Sequence, residues 1–147
     1  MNRRDLLRLV EIGIAVALVA VLSNVRVYKL PQGGSITAGS LVPIFYIALR
    51  WGGRAGVLAG VLAGIVNYIF EPVFVHPVQA LLDYPVAFGA LGLAGFLPRS
   101  PVAGIILGGA GRFLAHFLSG VVFFASYAPE GTSPVLYSAI YNGSYML

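Results

Sequence analysis

Hydrophobic and polar positions divide the chain into long apolar stretches parted by short polar breaks. Five apolar segments occupy residues 6–27, 36–51, 55–70, 77–97 and 101–127. A sixth starts at Val135, after the turn Ala128-Pro129-Glu130-Gly131-Thr132-Ser133-Pro134, and stops at Leu147. A helix needs about 20 apolar residues to cross a bilayer. The first five segments therefore read as spans, although the second is short and follows the polar loop 28–35. The sixth is too short to cross: either the sequence stops inside that helix or the segment only dips in. The pattern predicts an all-α polytopic membrane protein, a bundle of five to six transmembrane helices with the sixth cut short, forming one domain over residues 1–147.

Composition agrees. Hydrophobic residues make up 59% and charged residues only 10%, with a mean hydropathy of +0.89, whereas a soluble domain carries about 25% charged residues. The chain has no cysteine, which excludes disulfides, thiolate metal sites and thiol nucleophiles. Its net charge of +4 comes from basic residues standing singly in loops, not from a nucleic-acid-binding patch. The first segment lacks a small-residue cleavage site followed by a soluble domain, so it reads as a retained helix. Alternating the loops places Arg3, Arg4, Arg8, Arg50, Arg54 and Arg99 on one side. Arg26, Lys29, Glu71, His76 and Glu130 fall on the other. The positive-inside rule then predicts a cytoplasmic N-terminus in a multi-pass cell-membrane protein.

Several small residues read as packing. Gly56, Gly60 and Gly64 stand four apart in the third segment and form a flat stripe that lets helix backbones approach. Gly13, Ala17 and Ala20 give the first segment a small face at helical spacing. That face serves equally for packing inside the bundle or for docking a partner helix. Gly33-Gly34 lacks the downstream Gly-Lys-Ser/Thr of a phosphate loop and reads as a flexible surface loop, a candidate lid over an outward-facing site.

The polar residues inside the apolar segments carry the chemistry. Asp83 sits in the stretch His76-Pro-Val-Gln-Ala-Leu-Leu-Asp83-Tyr84-Pro85. A carboxylate in the membrane is costly without a partner and marks a candidate functional site. Pro85 lacks an N–H and frees the carbonyl of Leu81 beside it. In the fifth segment Arg112 and His116 are four apart, and Gly120 follows one turn on; Arg112 reads as a counter-charge for buried carbonyls or for Asp83. Counted from the outer ends at about 1.5 Å per residue, Asp83 lies about 8 Å deep, Asn142 about 12 Å and His116 about 16 Å. Tyr84, Phe123, Phe124, Tyr137 and Tyr141 surround them. A buried carboxylate among aromatic faces suits an organic cation or a flat heteroaromatic ring that takes hydrogen bonds from His and Asn. Tyr137 and Asn142 are five apart, about 140° around a helix, and share a pocket only if it wraps around that segment.

Four motifs in series, His76 to Pro85, Arg112-Phe-Leu-Ala-His116-Phe-Leu-Ser-Gly120, Ser126-Tyr-Ala-Pro-Glu-Gly131 and Tyr141-Asn142-Gly143-Ser144-Tyr145-Met146, resemble the thiamine-specific S-component of energy-coupling factor (ECF) vitamin transporters. The resemblance covers nearly the whole chain. It implies a six-helix protein that captures thiamine from outside and docks on a module of one coupling membrane subunit and two ATPase subunits. By that resemblance Asp83, Tyr84, His116, Gly120, Tyr137 and Asn142 are substrate-binding, with Phe124 in the stacking position. The docking face is Gly13, Ala17 and Ala20. The family uses tryptophans for ring contact, whereas the only tryptophan here, Trp51, lies at the cytoplasmic end of the second segment; the family also continues through a full sixth helix. No cofactor, metal or catalytic residue is implied. Two other readings stand beside this one: an S-component for another cationic or heteroaromatic vitamin, and an intramembrane enzyme using Asp83 and His116 as acid and base. The enzyme reading lacks a nucleophile or metal set at recognisable spacing. A bundle with a purely structural role would leave Asp83, Arg112 and His116 unexplained.

Overall fold

The computed structural model describes residues 2–30, 34–37 and 39–146. Helix α1 (Arg3–Asn24) leads into an antiparallel hairpin of β1 (Arg26–Lys29) and β2 (Ser35–Thr37). Then follow α2 (Val42–Trp51), α3 (Gly53–Phe70), α4 (Pro77–Phe96), α5 (Pro101–Phe123) and α6 (Pro134–Met146). Among the described residues, α1, α3, α4 and α5 are long and apolar enough to cross a membrane; α2 is shorter, and α6 has 13 residues. The all-helical bundle is as expected from the pattern, with two differences at the first loop. The loop is strand-paired, because Val27, Tyr28, Ile36 and Thr37 are β-branched or aromatic and favour a pleated ladder. The second apolar segment accordingly begins as strand and becomes helix only at Val42. Gly33 lies outside the described residues.

Local chemistry sets the helix ends. Asn2 caps α1, its Oδ1 accepting from Asp5 N at 2.8 Å. Prolines near the first positions of α2, α4 and α5 start those helices where an N–H would be unpaired anyway. Gly52, at φ 89°, breaks α2 from α3 in a conformation side chains rarely adopt.

The glycine stripe of α3 seats α4. A Cβ on Gly60 would lie 2.1 Å from the carbonyl oxygen of Phe88, and one on Gly64 would lie 2.5 Å from that of Tyr84. Gly56 meets Gly92 Cα in the same register. The backbones thus touch along one antiparallel seam, as small-residue faces allow in lipid. Two apolar clusters complete the interior: Ile12, Ala15, Ile47, Ala55 and Ala59 towards one end, and Val19, Ile44, Ala63, Phe88 and Leu91 towards the other. Outward residues such as Ile14, Val21, Val102 and Ile106 are exposed hydrophobics, suited to lipid contact.

The two ends differ. At one, Arg50 pairs with Glu11 at 2.7 Å, and Trp51 Nε1 donates to Glu11 Oε2 at 2.8 Å. At the other, Arg26 is ion-paired with Glu71, which ties the hairpin to the loop after α3, and His76 stacks on Phe123 with ring centroids 5.0 Å apart.

Candidate functional site

A cavity of about 730 Å³ opens between the hairpin, the 71–73 loop, helices α2 to α6 and the end of α1 at Ser23. Its size is within the range of small-molecule sites. Asp83, Tyr84, His116, Gly120, Phe124, Tyr137 and Asn142 all line it, so the structure brings together every substrate-site residue expected from the sequence. Tyr137 and Asn142 both reach it although they lie well apart around α6. Phe123 is not among the lining residues, being turned onto His76.

Asp83 is the hub. It sits in a π turn over Leu82–Val86, where the Ala87 N–H reaches back five residues to the Leu82 carbonyl. Wide turns of this kind occur often at functional sites, and here the turn absorbs Pro85, which has no N–H to give. His116 Nδ1 lies 3.0 Å from Asp83 Oδ1. Ser119 Oγ donates to Oδ2 at 2.9 Å and Gln79 Nε2 donates to it at 2.7 Å. A carboxylate only accepts, so His116 donates from Nδ1. A neutral imidazole then presents Nε2 as an acceptor. Nε2 is buried and has no hydrogen-bond partner among the described residues.

Arg112 is not in contact with Asp83, although it feels the charge of that carboxylate. No ion pair joins them among the described residues; the guanidinium instead lies over the Phe88 ring, its Cζ 4.3 Å from the centroid. Helix geometry explains this. One turn of α5 separates Arg112 from His116, and His116 is the residue level with the carboxylate.

The remaining residues hold the walls. Tyr84 donates from its hydroxyl to the Glu71 carbonyl at 2.7 Å and accepts from Val73 N at 2.9 Å, which fixes the rim. Gly120 lets α6 approach, since a Cβ there would lie 2.2 Å from Ser138 Oγ. Asn142 is buried and donates to the Ser138 carbonyl at 2.9 Å, while its Oδ1 accepts from Tyr145 at 2.8 Å. Gly34 N donates to Tyr141 at 3.0 Å, joining the hairpin to α6 across the opening.

Sequence reasoning passed over Gln79, Ser119 and Tyr145. Each lies three or four residues from a residue it did single out, so helical spacing from Asp83, His116 and Asn142 would have found them. Gln79 is fully buried. It also donates to the Val73 carbonyl at 3.2 Å and accepts from Val75 N at 3.0 Å, linking the carboxylate to the rim.

On α1 the small face points outward at Gly13 and Ala17, while Ala20 is half-buried. Gly13 and Ala17 are exposed, and a Cβ on Gly13 would meet nothing within 4 Å. The inward face is Ile12, Ala15 and Val19.

Residues 9–147 match the family described as Thiamine transporter protein. Thiamine transporter ThiT of Bacillus subtilis (strain 168) is 39% identical over 163 aligned positions, covering 98% of this chain and 84% of that protein. Thiamine transporter ThiT of Lacticaseibacillus paracasei is 33% identical, over 73% of this chain and 63% of its own length. Among solved structures, ThiT from Listeria monocytogenes superposes with a TM-score of 0.86 at 27% identity, covering 99% of this chain and 87% of that one.

Proposed function

The chain belongs to the thiamine transporter protein family, and on that premise we propose that it captures thiamine in this cavity as the membrane S-component of an ECF transporter. Membership in a family of transport proteins leaves no place for the acid–base enzyme reading. The observation that carries the proposal is Asp83, a carboxylate fixed by three donors inside an aromatic-walled cavity. A carboxylate has about four acceptor positions, and three are taken. Asp83 therefore acts on the thiazolium mainly through its charge, which is felt strongly in a low-dielectric site. Phe124, Tyr137 and Tyr84 supply ring faces for a flat cation, His116 Nε2 accepts from the amino group, and Asn142 and Gly120 shape the wall.

The substrate enters from the hairpin end. That end faces outside if the arginine-rich opposite end, with Arg3, Arg4, Arg8, Arg50 and Arg54, is cytoplasmic. Gly13, Ala17 and Ala20 then offer the surface for the coupling membrane subunit, on a helix that supplies none of the proposed ligand contacts. The two ATPase subunits of the shared module hydrolyse ATP. Releasing the copurified small molecule by denaturation and weighing it by mass spectrometry tests the substrate. Thiamine is the expected result; another vitamin would overturn the assignment while leaving the carrier architecture intact.

A further inference from the structure

Arg112 and His116 share a face of α5, and Arg112 lies one turn, about 6 Å, further from the loop-lined mouth of the cavity. The Phe88 ring beneath the guanidinium answers its charge. A ring face offers nothing to the N–H groups, which lie in the guanidinium plane and need acceptors of their own. Nη1 is buried and has no acceptor among the described residues. Asp83 does not supply one, since no hydrogen bond or ion pair joins it to Arg112 among the described residues. The large majority of buried side-chain polar groups in native proteins have partners, and an exception calls for an explanation, here a group brought from elsewhere. Arg112 lines the cavity, so the occupant is the source.

Resting on the thiamine reading above, we propose that Arg112 is a specificity-determining residue whose Nη1 donates to a ring nitrogen of the aminopyrimidine. Charge selects that end of the ligand. Guanidinium and thiazolium are both cations and repel strongly in a low-dielectric cavity. The thiazolium therefore lies towards Asp83, and the neutral ring, whose nitrogens accept, lies towards Arg112. The donor on Arg112 and the acceptor on His116 Nε2, one turn apart on α5, match a ring edge that carries a nitrogen acceptor beside an amino donor. The charged donor also disfavours a ligand presenting a carbon–hydrogen edge at that position, which leaves the N–H unpaired.

The test titrates the purified full chain with thiamine and with an analogue carrying an aminobenzene ring in place of the aminopyrimidine. The analogue keeps the amino group and the thiazolium and loses both ring nitrogens. Wild type is expected to prefer thiamine by about tenfold or more. Arg112→Met should bind thiamine more weakly and the analogue no worse, so that the preference falls to about one. Arg112→Lys, which keeps a charged donor, should restore part of it. Three results separate the possibilities. If wild type binds both ligands equally, or if Arg112→Met keeps the full preference, Arg112 does not read the ring. If wild type fails to bind thiamine at all, the thiamine reading itself falls, before any variant is compared. A wild-type ratio near one decides against the proposal even where Arg112→Met does not fold, and Arg112→Lys then carries the comparison of variants.

Discussion

Gln79 lies one turn before Asp83 on α4 and donates to its Oδ2 at 2.7 Å, while the other face of the same amide holds Val73 and Val75 at the cavity rim. Orientation of the carboxylate and closure of the rim are thereby joined in one buried side chain. Gln79→Leu would leave the Val73 carbonyl and the Val75 N–H unpaired, at about 1–3 kcal/mol for each group left buried. Thiamine affinity should fall about tenfold or more, and amide exchange over residues 71–76 should quicken. Calorimetry and hydrogen exchange on the same variant check both. Unchanged affinity with a loosened rim would separate the two roles.

Asp83→Asn removes the charge while keeping the shape. Breaking a buried ion pair by deleting one partner costs about 3–5 kcal/mol, so thiamine should bind at least a few kcal/mol more weakly in titration calorimetry. A neutral analogue with a thiophene in place of the thiazolium should lose far less. Equal losses for the two ligands would show that Asp83 organises the site without acting through its charge.

The seam between α3 and α4 predicts a stability effect with a position dependence. Gly60→Val must displace the Phe88 backbone, whereas Gly109 has open space where a Cβ would stand. Gly60→Val should lower the melting temperature in detergent sharply, since overpacking costs about 1–3 kcal/mol or more. Gly109→Ala should be close to neutral. Thermal unfolding followed by tryptophan fluorescence of Trp51 compares them.

Ala17→Trp tests the outward face of α1. Thiamine affinity should stay near wild type, while assembly with the coupling subunit and uptake are lost. Ligand titration and pull-down on one preparation give both answers. If affinity collapses and assembly survives, the docking assignment is wrong.

Much of this arrangement was legible in the residues because the membrane makes polar groups conspicuous. Asp83, His116 and Asn142 stood out against apolar surroundings, and simple depth counting put them near one another. The glycine stripe of α3 read correctly as packing, although its particular partner, the α4 backbone from Tyr84 to Gly92, required the fold. What stayed hidden was of two kinds. The hairpin was obscured by the polar residues around it, which resemble any loop until Tyr28 is seen paired with Ile36. The partner of Asp83 is open in the sequence, where charge alone allows Arg112; the pitch of α5 brings His116 and Ser119 level with the carboxylate instead. Glu11 also passed unnoticed, its partners Arg50 and Trp51 lying far along the chain.

The wide turn at Leu82–Val86 makes α4 intolerant of changes in length. One residue corresponds to about 100° of helical rotation. Deleting a single residue within 82–86 would let the helix wind regularly, yet it would disturb the seat of Tyr84 and Pro85 on Gly64 and change the setting of Asp83 relative to the seat of Phe88 on Gly60. The carboxylate would then lose its alignment with His116 and Ser119 while the contacts of Phe88 and Gly92 with α3 stayed in register. Such a chain could insert and fold with its binding site switched off. The turn after α5, residues 128–133, carries no comparable phase relationship. Descendants of this sequence should therefore drift freely in loop length there and hold the spacing from Gln79 to Phe88 fixed, a pattern that separates inherited function from inherited fold.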